Sequence, residues 1–575
     1  MKNVFVNLLY TVLVIFFIGL LIGCSSNKDN YADLVFKNGI IYTVDSLSSK
    51  AGAVAIKDGK FIYVGSDTGI DKYIGEKTKV VDLQKKLVLP GFFDSHCHVI
   101  SSYRQFFELT LNELKTKEKL QKAIKDFVAT HPAAKYIKGR GWSNTDFPKT
   151  GPDKKIIDEI VNNIPVSFSS EDGHSKWVNS KTLEVAGITK ETKNPEGGII
   201  ERDPATGEPT GTLRENAADL VSKIFPDYTV DELMKGIEEY QKMALAFGIT
   251  TAHDAYLDSW SNEIIAFQTL EKENKLSMRI RASLYVDPEK GIEQVAPLMK
   301  ERERHKGELF QTNAAKLFVD GVVEGSTAYL KEPYNHLPDS RGELLWKIEN
   351  LNKVCAELDK NNFQIHVHSI GDAATSVMLD AFAFAEKQNG KRDSRNMITH
   401  LQLVSPEDIL RFKELGVVAV PQPYWFAKDD YYYNLQVPYL GQKRADEEYP
   451  MKSFFDAGVV VASGSDYPVT IPPNPLQAIQ MGITREEIGV TNPDKVLWKE
   501  ESATLEQMIR SFTINGAYAN FLEKTTGSIE VGKFADFIVL DKNLFEISVL
   551  EISNAKVLLT FFEGKEVFKE DNFLK

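Results

Sequence analysis

Apolar and polar residues alternate in short runs at the start of the chain, from Asp33 to Val44, then from Ala53 to Ile56 and Phe61 to Val64. A period of two is the pattern of a half-buried strand. The last two runs are joined through Lys57-Asp58-Gly59-Lys60, and Asp-Gly between alternating runs predicts a hairpin. The chain ends in the same style, with Phe534 to Leu540, Lys556 to Phe562, a turn at Glu563-Gly564 and then Val567-Phe568. Neither end has enough strands for a core of its own. Residues 33–86 and 526–575 are therefore expected to build one small β-sandwich from both termini.

Between these ends, short apolar runs alternate with helical patterns, the signature of βα units around a parallel sheet. The predicted strands are Leu87 to Asp94, Gly248 to Ala252, Arg279 to Val286, Ala314 to Val319, Gln364 to Val367, Met397 to Thr399, Val417 to Val420 and Val459 to Ala462. Eight is the number that closes a (β/α)₈ barrel, so the fold class is α/β, a TIM-type barrel over residues 87–525. Leu233, Ile237, Tyr240, Ala244 and Phe247 share one helical face, and Ser405-Pro406-Glu407-Asp408 combines an N-cap, a first-turn proline and capping acids. Counted this way, residues 101–230 are a large insertion after the first barrel strand, with one further candidate strand at Val166 to Ser169.

One apolar run fits neither pattern. After Lys2 it extends from Val4 to Ile22, and its length would permit a membrane-spanning helix. It ends instead in Leu21-Ile22-Gly23-Cys24, followed by the polar tract Ser25 to Asn30. This resembles a bacterial lipoprotein signal with its lipobox. The resemblance implies removal of residues 1–23, a lipid on the Cys24 thiol, a polar tether over residues 24–32, and a place in the bacterial cell envelope. Ser25 and Ser26 after the cysteine favour the outer membrane.

Composition narrows the function. The 575 residues carry 68 basic and 81 acidic side chains, a net charge of −13, which argues against nucleic acid as a partner. The three cysteines, Cys24, Cys97 and Cys355, make no disulfide framework. The ten histidines matter by position. His96 and His98 follow a predicted strand and, two apart, point the same way. His366 and His368, His400 and Asp466 stand at three further strand ends, and Lys316 shares a face with Phe318 and Asp320. Imidazole and carboxylate are a ligand set for zinc and similar divalent ions. A bare ammonium aimed into a barrel would have to be paired, neutralised or chemically converted.

With these motifs in place, the chain resembles the amidohydrolase superfamily, in particular its amidohydrolase-3 branch of N-acyl and formamide-type hydrolases. The resemblance runs from Asn38-Gly39 through Leu89-Pro90-Gly91-Phe92-Phe93-Asp94-Ser95-His96-Cys97-His98, His368-Ser369-Ile370-Gly371-Asp372, Thr399-His400-Leu401-Gln402 and Gly464-Ser465-Asp466 to Gly527-Ser528-Ile529-Glu530-Val531-Gly532-Lys533-Phe534-Ala535-Asp536. It implies two divalent metal ions, zinc being the expected species. His96 and His98 would hold one, His368 and His400 the other, with Lys316 as a bridging carbamate and Asp466 as ligand and catalytic base. His366, one layer deeper, is expected to support the ligands rather than join them.

Such a centre would activate water for attack on an amide, N-formyl or cyclic amide C–N bond, with Asp466 passing the proton to the leaving nitrogen. Within the insertion, Asp172-Gly173-His174-Ser175-Lys176-Trp177-Val178-Asn179 resembles a segment of the same branch, which makes His174 a catalytic contact or else a surface loop residue. Trp142 is either a pocket wall or insertion core. Tyr424, Trp425 and Tyr431 to Tyr433 form an aromatic loop that either binds substrate or only covers the site. Asp254 and Asp320 either orient the site or cap the following helices. Two other readings stay open: a mononuclear deaminase or other hydrolase, and a noncatalytic binding lipoprotein on the same scaffold. The implied partners are a small-molecule amide, the membrane through Cys24, and a second copy if the chain forms a homodimer.

Overall fold

The computed structural model describes residues 31–575 apart from 113, 144, 145, 149, 171–174, 260, 491, 572, 574 and 575, and the side chain of residue 105. The expectations for residues 1–23, the tether up to residue 30 and Cys24 lie outside the described residues. Among the described residues no helix is long and apolar enough to cross a membrane.

Seven parallel strands form the central sheet: β1 (Phe92–Cys97), β2 (Ile249–Leu257), β3 (Arg279–Tyr285), β4 (Phe310–Phe318), β5 (Gln364–Ser369), β6 (Met397–His400) and β7 (Val418–Val420). Each pairs with the next in chain order, as βα units require. The eighth expected strand, Val459 to Ala462, is not a regular one and is corrected here: only Val461 bridges to Ala419. Beyond it the segment runs between its two neighbours: the Gly464 N–H donates to the Pro421 carbonyl (3.2 Å) after β7, and toward β1 the Ser95 and Asp466 N–H groups donate to the carbonyls of Ser463 (3.1 Å) and His96 (2.7 Å). The barrel is thus nearly closed, and the irregular seam carries Asp466 against His96.

The first expected strand also divides. The Gly91 N–H donates to the Asp536 carbonyl, and the next one, from Phe92, donates to the Gly248 carbonyl in the barrel. Leu87–Pro90 therefore belongs to a sheet with Phe537–Leu540 and Ile40–Tyr42, and only Phe92 onward belongs to the barrel. That sheet has six strands drawn from both ends of the chain. A second sheet of four, including Leu34–Lys37 and Ala53–Lys57, meets it through Phe36, Ile56, Phe61, Phe537 and Phe561. The Phe537 and Phe561 rings stack at 4.7 Å with Phe36 edge-on to both, an arrangement that the ring quadrupoles favour. At the predicted hairpin, Asp58 and Gly59 both take positive φ, the primed geometry that matches strand twist.

The segment between β1 and β2 has its own six-stranded sheet, which includes Ile137–Trp142, Val166–Ser170, Ser175–Val178 and Pro209–Glu215. The chain returns to the barrel through helix Val230–Ala246, opened by a capping box of Thr229 and Glu232 and buried along Leu233, Ile237, Tyr240 and Ala244. At helix Pro406–Glu414, Ser405 takes the extended N-cap backbone, but its side chain makes no capping hydrogen bond.

Candidate metal centre

The C-terminal ends of the barrel strands bring together the titratable residues that the sequence set far apart. On β1, His96 is fully buried, while His98, one residue past the strand, keeps 23% of its side chain exposed at the mouth. Asp466 arrives from the irregular seam. Its Oδ1 lies 3.3 Å from His96 Nε2 and 3.2 Å from His98 Nε2. Both His96 Nε2 and Asp466 Oδ1 are buried without a hydrogen-bond partner.

Two orphaned buried polar atoms on facing side chains are costly unless something else satisfies them. With ligand bonds of 2.0–2.1 Å, the edge between two ligands of a tetrahedral ion is about 3.3 Å, which is the spacing found here. His96, His98 and Asp466 thus fit a divalent ion in donor type, distance and unsatisfied valence.

A second pair faces this group. The His368 and His400 rings lie 4.6 Å apart, and His400 lies 5.0 Å from His96. His368 Nε2 is held by the Gly321 carbonyl at 3.1 Å, and His400 Nδ1 by Gln422 Oε1 at 2.9 Å. These contacts fix each ring and leave His368 Nδ1 and His400 Nε2 without a partner among the described residues, an arrangement usual for metal-binding imidazoles. Lys316, on β4, is buried over the Phe318 ring at 4.9 Å and has no hydrogen bond or ion pair from its ammonium among the described residues. Burial pushes its pKa down to about 7.

The same low dielectric acts on the imidazoles. Burial, and then Lys316 beside His96 and His368 and the His368 ring beside His400, hold His96 and His400 well below the usual histidine range and bring His368 to about 4. They are neutral at pH 7, the form that ligates metals. Burial works against the charge on Asp466, but the close approach of His98 at 3.2 Å and the proximity of His400 and Lys316 keep its carboxyl below the usual range.

Behind His96 runs a buried polar chain. His96 Nδ1 lies 2.8 Å from His366 Nε2, His366 Nδ1 3.0 Å from Ser283 Oγ, Ser283 Oγ 2.7 Å from His253 Nε2, and His253 Nδ1 2.7 Å from Asn520 Oδ1. His366 thus supports a candidate ligand. His253 and Ser283 were not singled out in the sequence; the signal for His253 was a polar residue at an inward position of β2, level with Thr251. Asp254 accepts from the Ile100 N–H (2.8 Å) and holds the turn after His98, while Asp320 accepts from the Ile370 (3.1 Å) and Gly371 (2.8 Å) N–H groups. Asp94 accepts from Ser465, on the seam beside Asp466.

The aromatic candidates separate. The Trp425 ring stacks on His400 at 5.8 Å, with Nε1 donating to Thr470 Oγ1 at 3.1 Å, and stands half-buried at the mouth. Tyr424 is corrected: it turns into the barrel packing, edge-on to Phe512 at 6.5 Å. Trp142 takes the second of its two readings: it is 1% exposed in the insertion core, its Nε1 donating to the Phe168 carbonyl at 2.9 Å. Between Arg140 and Trp142 the strand shifts register, with Gly141 at φ 93°, and the irregularity turns the tryptophan inward. Tyr432 is buried, whereas Tyr431 and Tyr433 are exposed. His174 lies outside the described residues.

A model of the amidohydrolase family matches residues 79–568. The chain is 32% identical over 544 residues to the LONG AFTER FAR-RED 3 protein of Arabidopsis thaliana, covering 93% of this chain and 92% of that one. It is 26% identical over 545 residues to an N-substituted formamide deformylase of Arthrobacter pascens, covering 92% and 97%. A metal-dependent hydrolase from Pyrococcus furiosus superposes with a TM-score of 0.70 at 26% identity, covering 89% of this chain and 99% of that one. The matched span takes in the whole barrel and every residue of the cluster built above, and the chain belongs to the amidohydrolase family of metal-dependent hydrolases.

Proposed function

We propose that the protein hydrolyses a carbon–nitrogen bond of a small amide, N-formyl or cyclic amide compound, with Asp466 moving the proton. The observation that carries this reading is the orphaned pair His96 Nε2 and Asp466 Oδ1, 3.3 Å apart in a buried ring of neutral imidazoles. The similarity to a formamide deformylase supports the bond type. His96, His98 and Asp466 would hold one divalent ion, and His368 and His400 a second, with Lys316 between them. Divalent ions bound there, zinc being the expected species, would supply Lewis acidity and make water a nucleophile near neutral pH.

The residues of the chain set the rest. Asp466 is kept ionised by its neighbours and stands where it can take a proton from water and return it to the leaving nitrogen. Lys316 is a buried amine with its pKa lowered to about 7 and no ion pair among the described residues. Addition of the neutral amine to CO₂ with loss of one proton, or of the ammonium with loss of two, forms a carbamate, an anion offering two oxygen donors.

With His96 Nε2 committed to a metal, its Nδ1 carries the proton, and the direction of the buried chain follows. His96 donates to His366, His366 to Ser283, Ser283 to His253 and His253 to Asn520. Asn520 ends the chain as an acceptor because its own Nδ2 donates to the Gly516 carbonyl at 2.9 Å. Every donor then has one acceptor, which fixes the tautomer and tilt of His96.

The test is turnover of a panel of N-formyl and N-acyl amines, read as release of amine and acid, by the parent and by Asp466→Asn. The expected outcome is hydrolysis by the parent and a loss of about 10²–10⁴-fold in kcat in the variant. Undiminished turnover in Asp466→Asn overturns the assigned role. The reading also places the protein in the bacterial cell envelope, lipid-anchored at Cys24; an unacylated, unprocessed N-terminus in protein from membranes of a bacterial host contradicts that part.

A further inference from the structure

The sheet between β1 and β2 has two unlike faces. Ile137, Val166, Phe168 and Trp177 close over helix Lys117–Thr130 in an apolar core. The alternate positions Lys138, Ser167, Ser169 and Lys176, together with Arg140, line a cavity of about 530 Å³. Across the cavity stand Tyr103 and Arg104 on helix Tyr103–Phe107, then Glu108 and Tyr228. That wall is joined along the chain to the candidate metal centre. The turn Val99–Ser102 starts directly after His98 and leads into Tyr103, a 3₁₀ path on the order of 10 Å. Tyr467, next to Asp466, takes the His98 N–H on its carbonyl at 2.7 Å, and its phenol feels the charge of Arg140.

Four cations converge on this space, and none has a carboxylate within ion-pair distance among the described residues. Arg104 Nε donates to the Tyr103 hydroxyl at 3.2 Å. Lys138 Nζ donates to the Pro226 carbonyl at 2.6 Å and lies 4.2 Å from the Tyr228 ring centre. Lys176 Nζ donates to Ser169 Oγ at 2.5 Å. The Arg140 guanidinium makes no hydrogen bond among the described residues. Glu108 is the acid among them, and the Tyr228 hydroxyl donates to it at 2.9 Å; Asp219 and Asp227 are exposed at the rim. Burial, and repulsion from Arg104, hold Arg140 and Lys176 below their ordinary values.

A chain with net charge −13 has no general reason to collect half-buried cations facing a shared space. Unpaired guanidinium forks beside ammonium groups and serine hydroxyls are the donor set that recognises carboxylate and phosphate oxygens. We propose that this cavity binds an oxyanion, a carboxylate or a phosphate, carried by the substrate at the end remote from the bond that is cut. The inference rests on the hydrolase reading above and narrows it: the substrate class is an anionic N-acyl or N-formyl compound, reaching from the metal centre to Arg140.

The test has two arms, so that this claim and the hydrolase reading can fail separately. In the first, the metal-loaded full-length protein is titrated calorimetrically with succinate and with inorganic phosphate, alongside Arg140→Gln, Lys176→Gln and Arg140→Lys. One of the anions should bind to the parent, about tenfold more weakly to each Gln variant and with intermediate affinity to Arg140→Lys, at equal metal content and circular dichroism. Which anion binds separates carboxylate from phosphate. In the second, N-formyl amino acids are compared with their carboxamides, or phosphorylated N-formyl amines with their alcohols if phosphate is the anion that binds. The parent should prefer the anion by about tenfold or more in kcat/KM, and Arg140→Gln should lose that preference through KM. Absence of binding, or binding that is unchanged in the Gln variants, overturns the site. Hydrolysis with no preference for the anion overturns the substrate class. Anion binding that Arg140→Gln weakens, with no hydrolysis of any N-acyl compound, leaves the cavity assignment standing and removes the hydrolase reading instead.

Discussion

The barrel mouth and the cavity beside it are both lined with titratable side chains, but they are held in different ways. At the mouth, His96, His98, Lys316, His368, His400 and Asp466 come from several strand ends and the irregular seam, and three of them, His96, His368 and His400, have a further residue fixing the ring from behind. In the cavity, Arg104, Lys138 and Lys176 are tied by single bonds to carbonyls or hydroxyls, and Arg140 by none, among the described residues. A site that must place ligand atoms to within a fraction of an ångström needs backing and low dielectric. A site that must attract charge needs only unpaired donors at the end of flexible stems, and it can adjust to its ligand.

That difference predicts opposite responses to mutation. The largest effect is expected at the backing of the mouth. His366→Leu removes the acceptor of His96 Nδ1 and the donor to Ser283, and should lower metal affinity about 10–100-fold in chelator competition. It should also cost about 1–3 kcal/mol in urea unfolding, because buried partners are left unmatched. A smaller loss, about 1 kcal/mol with a few-fold change in metal affinity, is expected for Ser283→Ala, which breaks the same chain one bond further from the metal. The smallest effect is expected in the cavity. Arg140→Gln should leave urea stability within about 0.5 kcal/mol of the parent, or raise it, since one of four repelling cations is removed. If Arg140→Gln costs as much as His366→Leu, the contrast between the two regions is wrong.

The sequence was more informative about the mouth than about the cavity, for physical reasons. Strand alternation and the rule that barrel chemistry sits at C-terminal strand ends were enough to gather His96, His98, Lys316, His368, His400 and Asp466. His253 and Ser283 escaped because a polar residue in mid-strand looks the same whether it packs singly or joins a chain, and their partners are 30 residues apart and more in sequence. The sequence leaves Trp142 between a pocket wall and the insertion core because strand alternation is interrupted there, by a register shift at Gly141 that turns the ring inward. Lys138 and Arg140 do not stand out in the sequence, because their face becomes a cavity through the packing of helix Tyr103–Phe107 and of the segment from Ala218 to Tyr228 across it. The seven-plus-one strand count has a similar origin. Val459 to Ala462 has the composition of a strand, but the segment divides its hydrogen bonds between Ala419 and Pro421 on one side and β1 on the other without forming a regular ladder.

The central claim is that Lys316 completes a two-metal hydrolase centre. It is tested most directly by counting metal ions per chain in protein purified without chelator, in the parent and in Lys316→Ala. The account predicts about two ions in the parent, and loss of one or both in the variant together with hydrolysis of N-formyl or N-acyl amines. A single ion retained by both proteins would contradict it, because Lys316 would then be a buried residue with no part in holding metal, and a one-metal deaminase would become the better reading of the same site.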